Sequence, residues 1–322
     1  MEKIGVLTSG GDAPGMNACI RAVVRSAIQN GIDVIGIKRG YSGLLDREFQ
    51  KLNRRSVANI IQRGGTTLET DRCEEFRMPE GREKAFEILK EEGIEGVVVI
   101  GGDGTFRGAS AMLEEHKVKF IGVPATIDND IYGTDYTIGF DTAINTAMEA
   151  IDRIRDTADS TERIFFVEVM GRSAGFIAIE VGIAGGAEEI IIPEIETDLE
   201  KLCQNIKDSL KRGKRSSIIV VAEGNEIGHT MQIADYVKLR LKVNCRACIL
   251  GHLQRGGSPT ARDRVLASKL GIAAIDGLLN GREGHAVGER KGEIVYIPFR
   301  ETWENRKEVD HKFLASSRVL AL

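Results

Sequence analysis

Short runs of apolar, β-branched residues alternate along the chain with stretches whose apolar positions recur every three or four residues. The first kind predicts strands at Ile4–Leu7, Val34–Ile37, Val97–Ile100, Phe120–Val123, Ile164–Val169, Glu189–Ile192, Ile218–Ala222 and Ala247–Leu250. The second kind predicts helices. Asn17–Gln29 places Ala18, Ile20, Val23, Val24, Ala27 and Ile28 on one face. Arg82–Glu92 sets Ala85, Ile88 and Leu89 against Lys and Glu, and stops at Gly93, a helix C-terminal signal. Thr142–Arg155 repeats the pattern with Ile144, Ala147, Met148 and Ile151. Regular strand–helix alternation predicts an α/β protein with mostly parallel sheets. In such sheets ligands gather at the carboxyl ends of the strands.

The length of 322 residues suits two domains or one large one. No linker, low-complexity segment or internal repeat marks a boundary. Lys and Arg total 44 against 48 Asp and Glu, a net charge of −4, so no general attraction to polyanions is expected. Aromatic residues, at 5%, are too few for a base-stacking platform. The longest apolar runs, such as Gly96–Ile100, are too short to span a bilayer. Met-Glu-Lys-Ile leads straight into a strand, with no secretory pattern, so a cytoplasmic protein is expected. The odd set Cys19, Cys73, Cys203, Cys245 and Cys248 argues against a disulfide framework. Cys245 and Cys248 form a C-x-x-C, but on a strand they point to opposite faces, and no second pair stands at zinc spacing.

Glycine changes the picture most, at 37 residues against an average share of about 7%. Four Gly-rich turns follow predicted strands: residues 8–17 (TSGGDAPGMN), 101–105 (GGDGT), 170–175 (MGRSAG) and 251–259 (GHLQRGGSP). Glycine beside a helix N-terminus lets backbone N–H groups approach a phosphate, and the helix dipole favours its charge. The chain has no G-x-x-x-x-G-K-[ST], so it is not a P-loop protein. Gly102-Asp103-Gly104 fails the dinucleotide fingerprint because Arg107 stands where its third glycine belongs.

Between the turns lies Pro124-Ala125-Thr126-Ile127-Asp128-Asn129-Asp130. Two carboxylates two residues apart suit a magnesium–nucleotide site, one holding metal and the other taking a hydroxyl proton. The same spacing also suits an Asx-rich turn. Arg72, Arg163, Arg172, Arg246 and Arg255 stand in or beside turns and strand ends, where the guanidinium fork matches phosphate.

Taken in order, LTSGGDAPGMN at 7–17, QRGGT at 62–66, GGDGT at 101–105, P-x-TIDND at 124–130, GTDYTIGFDTA at 133–143, EVMGR at 168–172 and LGHLQRGGSPT at 250–260 resemble the bacterial-type ATP-dependent 6-phosphofructokinase family. The resemblance runs from Ile4 to about Pro298. It implies a glycolytic kinase moving the γ-phosphoryl group of ATP to the 1-hydroxyl of fructose 6-phosphate. It also implies two doubly wound, mostly parallel, Rossmann-like domains with the active site in the cleft between them. The nucleotide-binding domain would hold residues 1–138 and about 252–305. The sugar-phosphate domain would hold 139–251 and about 306–322.

By the same resemblance, Asp128 is the base. Gly11, Thr126, Arg72 and Arg172 stabilise the transferring phosphoryl group. Gly11, Tyr41, Arg72, Cys73, Gly102, Asp103, Gly104, Thr105 and Gly108 bind ATP, and Asp103 and Asp130 manage Mg²⁺. Thr126, Asp128, Met170, Gly171, Arg172, Glu223, His252 and Arg255 bind the sugar phosphate, with Arg163 and Arg246 lent by a neighbouring subunit of a homotetramer. Arg21, Arg25, Arg54, Arg155, Glu188, Arg212 and Lys214 match positions that bind ADP or phosphoenolpyruvate as effector. Read alone, Arg21 and Arg25 are a solvated helix face.

The sequence departs from the family pattern at a few positions. Glu69 and Asp71 place two acids before Arg72, where small or neutral residues are usual. Ala125 stands where ATP users carry Gly and pyrophosphate users Lys. Asn59 replaces an acid and Thr161 a His. The acids are expected to weaken or retune nucleotide binding. The competing readings are a pyrophosphate-dependent enzyme, disfavoured by Gly104 and Ala125, and a catalytically weak regulatory paralogue, disfavoured because the carboxylates and arginines are all present. A nucleotide-dependent oxidoreductase is disfavoured by the missing fingerprint.

Overall fold

The structure is a computed structural model that describes residues 1–224 and 229–320. Residues 321–322, at the end of the second expected domain, lie outside the described residues. The chain divides into two compact units, Met1–Thr142 with Arg255–Lys307, and Ala143–Gln254 with Glu308–Leu322.

In chain order the strands are β1 (Lys3–Ser9), β2 (Asp33–Ile37), β3 (Phe49–Leu52), β4 (Gly96–Gly101), β5 (Lys119–Pro124), β6 (Ile164–Val169), β7 (Glu189–Ile191), β8 (Ser217–Ala222), β9 (Cys245–Ile249), β10 (His285–Arg290) and β11 (Glu293–Pro298). The first unit carries one sheet in the order β11-β10-β5-β4-β1-β2-β3. Its centre is parallel, and only the edge pairs β2–β3 and β10–β11 are antiparallel. The second unit carries β7-β8-β6-β9, parallel throughout.

The parallel centre follows from composition. Every residue of β4, Gly-Val-Val-Val-Ile-Gly, is buried, as a strand covered by helices on both faces requires. Below the sheet, Phe106 and Phe120 are fully buried beside Phe299. Each contributes about 2 kcal/mol through removal from water. On the opposite face the helix Met16–Gln29 packs against the helix Ala261–Leu279. Gly271 permits the approach, since a Cβ there would meet the Cys19 carbonyl oxygen at 3.0 Å. The Thr142–Arg155 pattern forms a longer helix, Phe140–Thr161.

Strand order sets the site. β1 is followed in sequence by β2 on one side, while β4 lies on its other side, so the sheet's topological switch point falls between β1 and β4. The Gly10–Gly15 turn leaves the end of β1, and the Gly102 turn leaves the end of β4. In the second unit β6 lies between β8 and β9. Met170, Glu223 and Leu250 therefore emerge side by side at the carboxyl ends of three neighbouring strands.

Candidate active site

In the first unit the two Gly-Asp turns touch. Thr105 Oγ1 donates to the Ser9 carbonyl at 3.0 Å and pins the start of the helix Asp103–Glu115 to the end of β1. Gly15 precedes the helix Met16–Gln29 at φ +111°, a left-handed value that glycine adopts without strain. A Cβ on Gly11 would stand 2.0 Å from Arg255 Nη1, so the Arg255 guanidinium lies against the bare backbone of this turn. Arg255 Nε is buried with no hydrogen-bond partner among the described residues. An arginine fork set over exposed backbone N–H groups suits an anion.

Next along the sheet, the loop after β5 brings in Thr126, Asp128 and Asp130. The Ala125 N–H donates to the Gly101 carbonyl at 2.9 Å. The position of a Cβ on Gly102 lies 3.8 Å from Thr126 Cβ, so this loop borders the Gly102 turn. The Asp128 N–H donates to Thr126 Oγ1 at 3.2 Å, and Asp128 is 7% exposed. Asn129, at φ +54°, organises the loop, accepting the Thr137 N–H at 3.0 Å and donating to the Asp135 carbonyl at 3.2 Å. Lys307 Nζ donates to the same Asp135 carbonyl at 2.8 Å; burial pulls its pKa down to about 8, against the pull of Asp135 and Asp130.

Asp103 begins its helix and accepts from Arg107 Nε at 2.7 Å. Among the described residues no three His, Cys, Asp or Glu side chains converge on a metal-sized site. Two carboxylates bordering an anion-binding turn do fit Mg²⁺, which keeps several waters and takes its remaining ligands from substrate phosphates.

The expected nucleotide residues divide by burial. Gly104 opens onto free space, with nothing within 4 Å of where a Cβ would stand. Tyr41 is 5% exposed, stacks on Phe76 at 3.9 Å between centroids, and donates to the Thr105 carbonyl at 2.7 Å. It therefore supports the wall from behind, and burial raises its hydroxyl pKa. Thr105 is buried and Cys73 half-buried. A Cβ on Gly108 would press on Tyr41 at 3.0 Å. Arg72 is exposed.

In the second unit Gly171 and Arg172 turn sharply after β6, with φ of +142° and +56°. The Glu223 N–H donates to the Val169 carbonyl and the Leu250 N–H to that of Glu168, drawing the three strand ends together. Gln254, fully buried, accepts the Met170 N–H at 2.8 Å. Arg172 and His252 are exposed and Glu223 is half-buried. Arg163 and Arg246 are elsewhere. Arg163 directly precedes β6, and Arg246 pairs with Phe165 near its start. At about 3.3 Å per residue, the length of β6 separates them from Met170 by roughly 20 Å.

The expected effector residues fall in both units. In the second, Arg155 donates to the Gly185 and Gly186 carbonyls. Glu188 accepts the Ile218 N–H and pairs with Lys214 at 3.1 Å, and Arg212 donates to Ser209. In the first, Arg25 and Arg54 are exposed and Arg21 is partly buried.

Several residues that hold the site escaped the sequence reading. Asn17 donates to the Arg63 and Gly64 carbonyls and accepts the Thr67 N–H at 2.7 Å, which fixes the 62–66 loop. Gln62 in that loop accepts, through its carbonyl, from the Ser258 hydroxyl at 2.6 Å. Asp263 ties the Gly139–Thr142 turn to the helix Ala261–Leu279. The acids beside Arg72 have cationic partners in Lys38 and Arg39. Each is one polar residue whose partners are remote in sequence; only its place inside a Gly-rich motif could have flagged Asn17.

Anion-binding turns meeting at a switch point, with a Thr-x-Asp-x-Asp loop beside them, define the ligand-binding class of doubly wound α/β proteins. Comparison with known proteins narrows this. The phosphofructokinase family profile matches residues 3–278, and the chain belongs to that family. It is 58% identical over 322 residues, 100% of both chains, to a Thermus thermophilus protein named ATP-dependent 6-phosphofructokinase 1. It is 53% identical, again over 100% of both, to the ATP-dependent 6-phosphofructokinase of Shouchella clausii. Among solved structures, the phosphofructokinase of Saccharomyces cerevisiae superposes with a TM-score of 0.87 at 36% identity, over 94% of this chain and 45% of the yeast chain. A pyrophosphate-dependent phosphofructokinase from Marinobacter aquaeolei matches with a TM-score of 0.87 over 99% of this chain and 88% of its own; at 24% identity it supports the fold alone.

Proposed function

We propose that this chain transfers the γ-phosphoryl group of ATP to the 1-hydroxyl of fructose 6-phosphate, giving fructose 1,6-bisphosphate and ADP. The observation that carries the reading is the Thr126–Asp128 loop, set with a buried carboxylate beside the Gly102 turn at the switch point. Asp128 takes the proton of the attacking hydroxyl as its oxygen bonds to the γ-phosphorus and the bond to the β-phosphate oxygen breaks. The Gly11 N–H, Thr126, Arg72 and Arg172 face the charge that gathers on the transferring group. Preorganised donors of this kind supply most of the catalysis in phosphoryl transfer. When bound, Mg²⁺ neutralises phosphate charge, and Asp103 and Asp130 would hold it.

The first unit is the nucleotide side, with Gly104 left open for ATP. That opening supports ATP over pyrophosphate as donor. The second unit is the sugar-phosphate side, through Met170, Gly171, Arg172, Glu223 and His252. Arg255, on the Gly11 turn, belongs with the transferring phosphate as well as the sugar.

The active protein is a homotetramer in the cytoplasm. The placing of Arg163 and Arg246 about 20 Å from the Met170 turn supports their serving a neighbouring subunit's site. By the family resemblance, Arg155, Glu188, Arg212 and Lys214 of one subunit and Arg21, Arg25 and Arg54 contribute to an effector site for ADP or phosphoenolpyruvate between subunits.

Phosphorus NMR of the product tests the reading. Incubation with MgATP and fructose 6-phosphate should yield a new phosphate ester on carbon 1 together with ADP. ATP hydrolysis without that ester, or no reaction, would overturn it.

A further inference from the structure

The two acids before Arg72 are paired. Lys38 Nζ lies 3.2 Å from Glu69 Oε1, and Arg39 Nη1 lies 3.5 Å from Asp71 Oδ2. The other Asp71 oxygen accepts the Arg72 N–H at 2.7 Å. The Arg39 N–H donates to the Leu68 carbonyl at 2.8 Å, so backbone and side chains join the same two segments.

Arg39 is itself held in place. Its Nε and Nη2 bind both oxygens of Glu48 at 2.8 Å, and Nη2 also reaches Asp46 at 2.7 Å. Those partners keep its charge fixed, and Glu48 is in turn held below the usual carboxylate range by Arg39. The guanidinium is therefore anchored to its own turn before it meets Asp71. The 66–72 segment is anchored on its other side. Thr8 Oγ1 donates to the Glu69 carbonyl at 2.6 Å, and Thr70 Oγ1 donates to that of Gly10 at 2.7 Å. Arg72 thus follows directly on a strip tied to the Gly10 turn and to Arg39.

We propose that Arg39 is a positioning residue for nucleotide binding. Paired to Asp71, and with Lys38 paired to Glu69, it cancels the acids that would otherwise repel the phosphates, while the bond from the Arg72 N–H to Asp71, which asparagine can also accept, sets the Arg72 backbone. Lys38 and Arg39 stand before Gly40 and Tyr41, on the turn that leaves β2, so the device joins two segments of the proposed nucleotide wall. The departure at Glu69 and Asp71 is then balanced by two cations on the facing turn, and ATP binding is preserved. Both pairs are half-exposed, with side-chain exposures of 41% and 55% for Lys38 and Glu69, and 34% and 47% for Arg39 and Asp71. Pairs of that kind add little to folding stability, so their effect is read at the ligand.

This inference rests on the proposed role of Arg72 toward ATP. A double-mutant cycle tests it, with KM for MgATP as readout and kcat and KM for fructose 6-phosphate as controls. Arg39→Gln should raise KM for MgATP about five-fold, the upper end for one exposed ion pair, with kcat within about two-fold. Asp71→Asn keeps the acceptor for the Arg72 N–H and alone should change KM less than two-fold. The double variant should return to within about two-fold of the parent, and the Arg39→Gln effect should shrink at high salt. A KM shift of equal size with and without Asp71, or no shift, would overturn the proposal. So would equal losses in kcat and both KM values from folded protein. Should Arg39→Gln fail to fold through loss of the Glu48 fork, Lys38→Gln with Glu69→Gln repeats the cycle on a pair that leaves that fork intact. The same pattern is expected, and absence of coupling there overturns the proposal. Failure of the parent protein to use ATP at all would instead defeat the functional reading, and is distinguished by the parent assay.

Discussion

Oδ2 of Asp263 accepts both the N–H and the hydroxyl of Thr142, at 2.8 and 2.5 Å. Oδ1 accepts the Gly139 N–H at 2.9 Å. One buried carboxylate thus satisfies three donors at the start of the helix Phe140–Thr161 and anchors the far end of the loop that carries Asp128.

Burial nonetheless raises the Asp263 pKa above the ordinary carboxylate value, against the hydrogen bonds that lower it. A raised folded-state pKa means that the native protein binds more protons than the unfolded chain between the two values. Its contribution is then most favourable below the unfolded value and declines as pH rises through that window. Asp263→Asn turns an amide N–H₂ toward the Thr142 or Gly139 donor and should cost about 2 kcal/mol at neutral pH. Urea unfolding of both proteins from pH 4 to 7 should show the gap widest at the acid end. A gap that grows toward neutral pH would refute the sign.

Glu115 shows the opposite linkage. Both its oxygens accept from Arg82 at 2.6 Å, and that pairing lowers its pKa. Its contribution is present above the unfolded carboxylate value and is lost as pH falls through the lowered one. Glu115→Gln should cost about 1.5 kcal/mol at pH 7 and nothing once pH is below both values. The check is a pair of stability–pH curves that converge in acid; parallel curves would count against it.

Much of this was legible beforehand, and the reason is physical. The eight predicted strands are all present; the central ones, β1, β4, β5, β6 and β8, stand out because parallel strands covered on both faces are apolar throughout, and the edges β7 and β9 were read from their short apolar runs. The Gly-Asp turns were legible because glycine at a strand end has few other uses. The edge strands β3 and β11, and β10 beside β11, went unread. Phe-Gln-Lys-Leu and His-Ala-Val-Gly-Glu-Arg carry weak alternation, and strands in antiparallel pairs need only one covered face. Asn17, Asp263 and Arg39 were silent for another reason. Their partners lie up to 124 residues away, and pairing at that range leaves no local pattern. The acids at Glu69 and Asp71 looked unfavourable because Lys38 and Arg39 could not be seen opposite them.

General-base chemistry at Asp128 gives a kinetic expectation. Asp128→Asn should lower kcat by about 10²–10⁴-fold while fructose 6-phosphate still binds, as measured by calorimetry. Near-parental kcat would remove Asp128 from the role.

Arg163 offers a test of shared sites. Arg163→Ala and Asp128→Asn should each be inactive alone, and mixing them under conditions of subunit exchange should restore activity. A mixture that exchanges subunits, shown by mass spectrometry, yet stays inactive would rule out donation between subunits.

The most direct measurement compares phosphoryl donors. Initial rates of fructose 1,6-bisphosphate formation by the purified protein are followed with MgATP and, separately, with magnesium pyrophosphate. Gly104, open where a side chain would stand, leaves room for the nucleotide. The account predicts kcat/KM for ATP at least about a hundred-fold above that for pyrophosphate, a difference of roughly 3 kcal/mol in transition-state binding. Equal or faster turnover with pyrophosphate would contradict it.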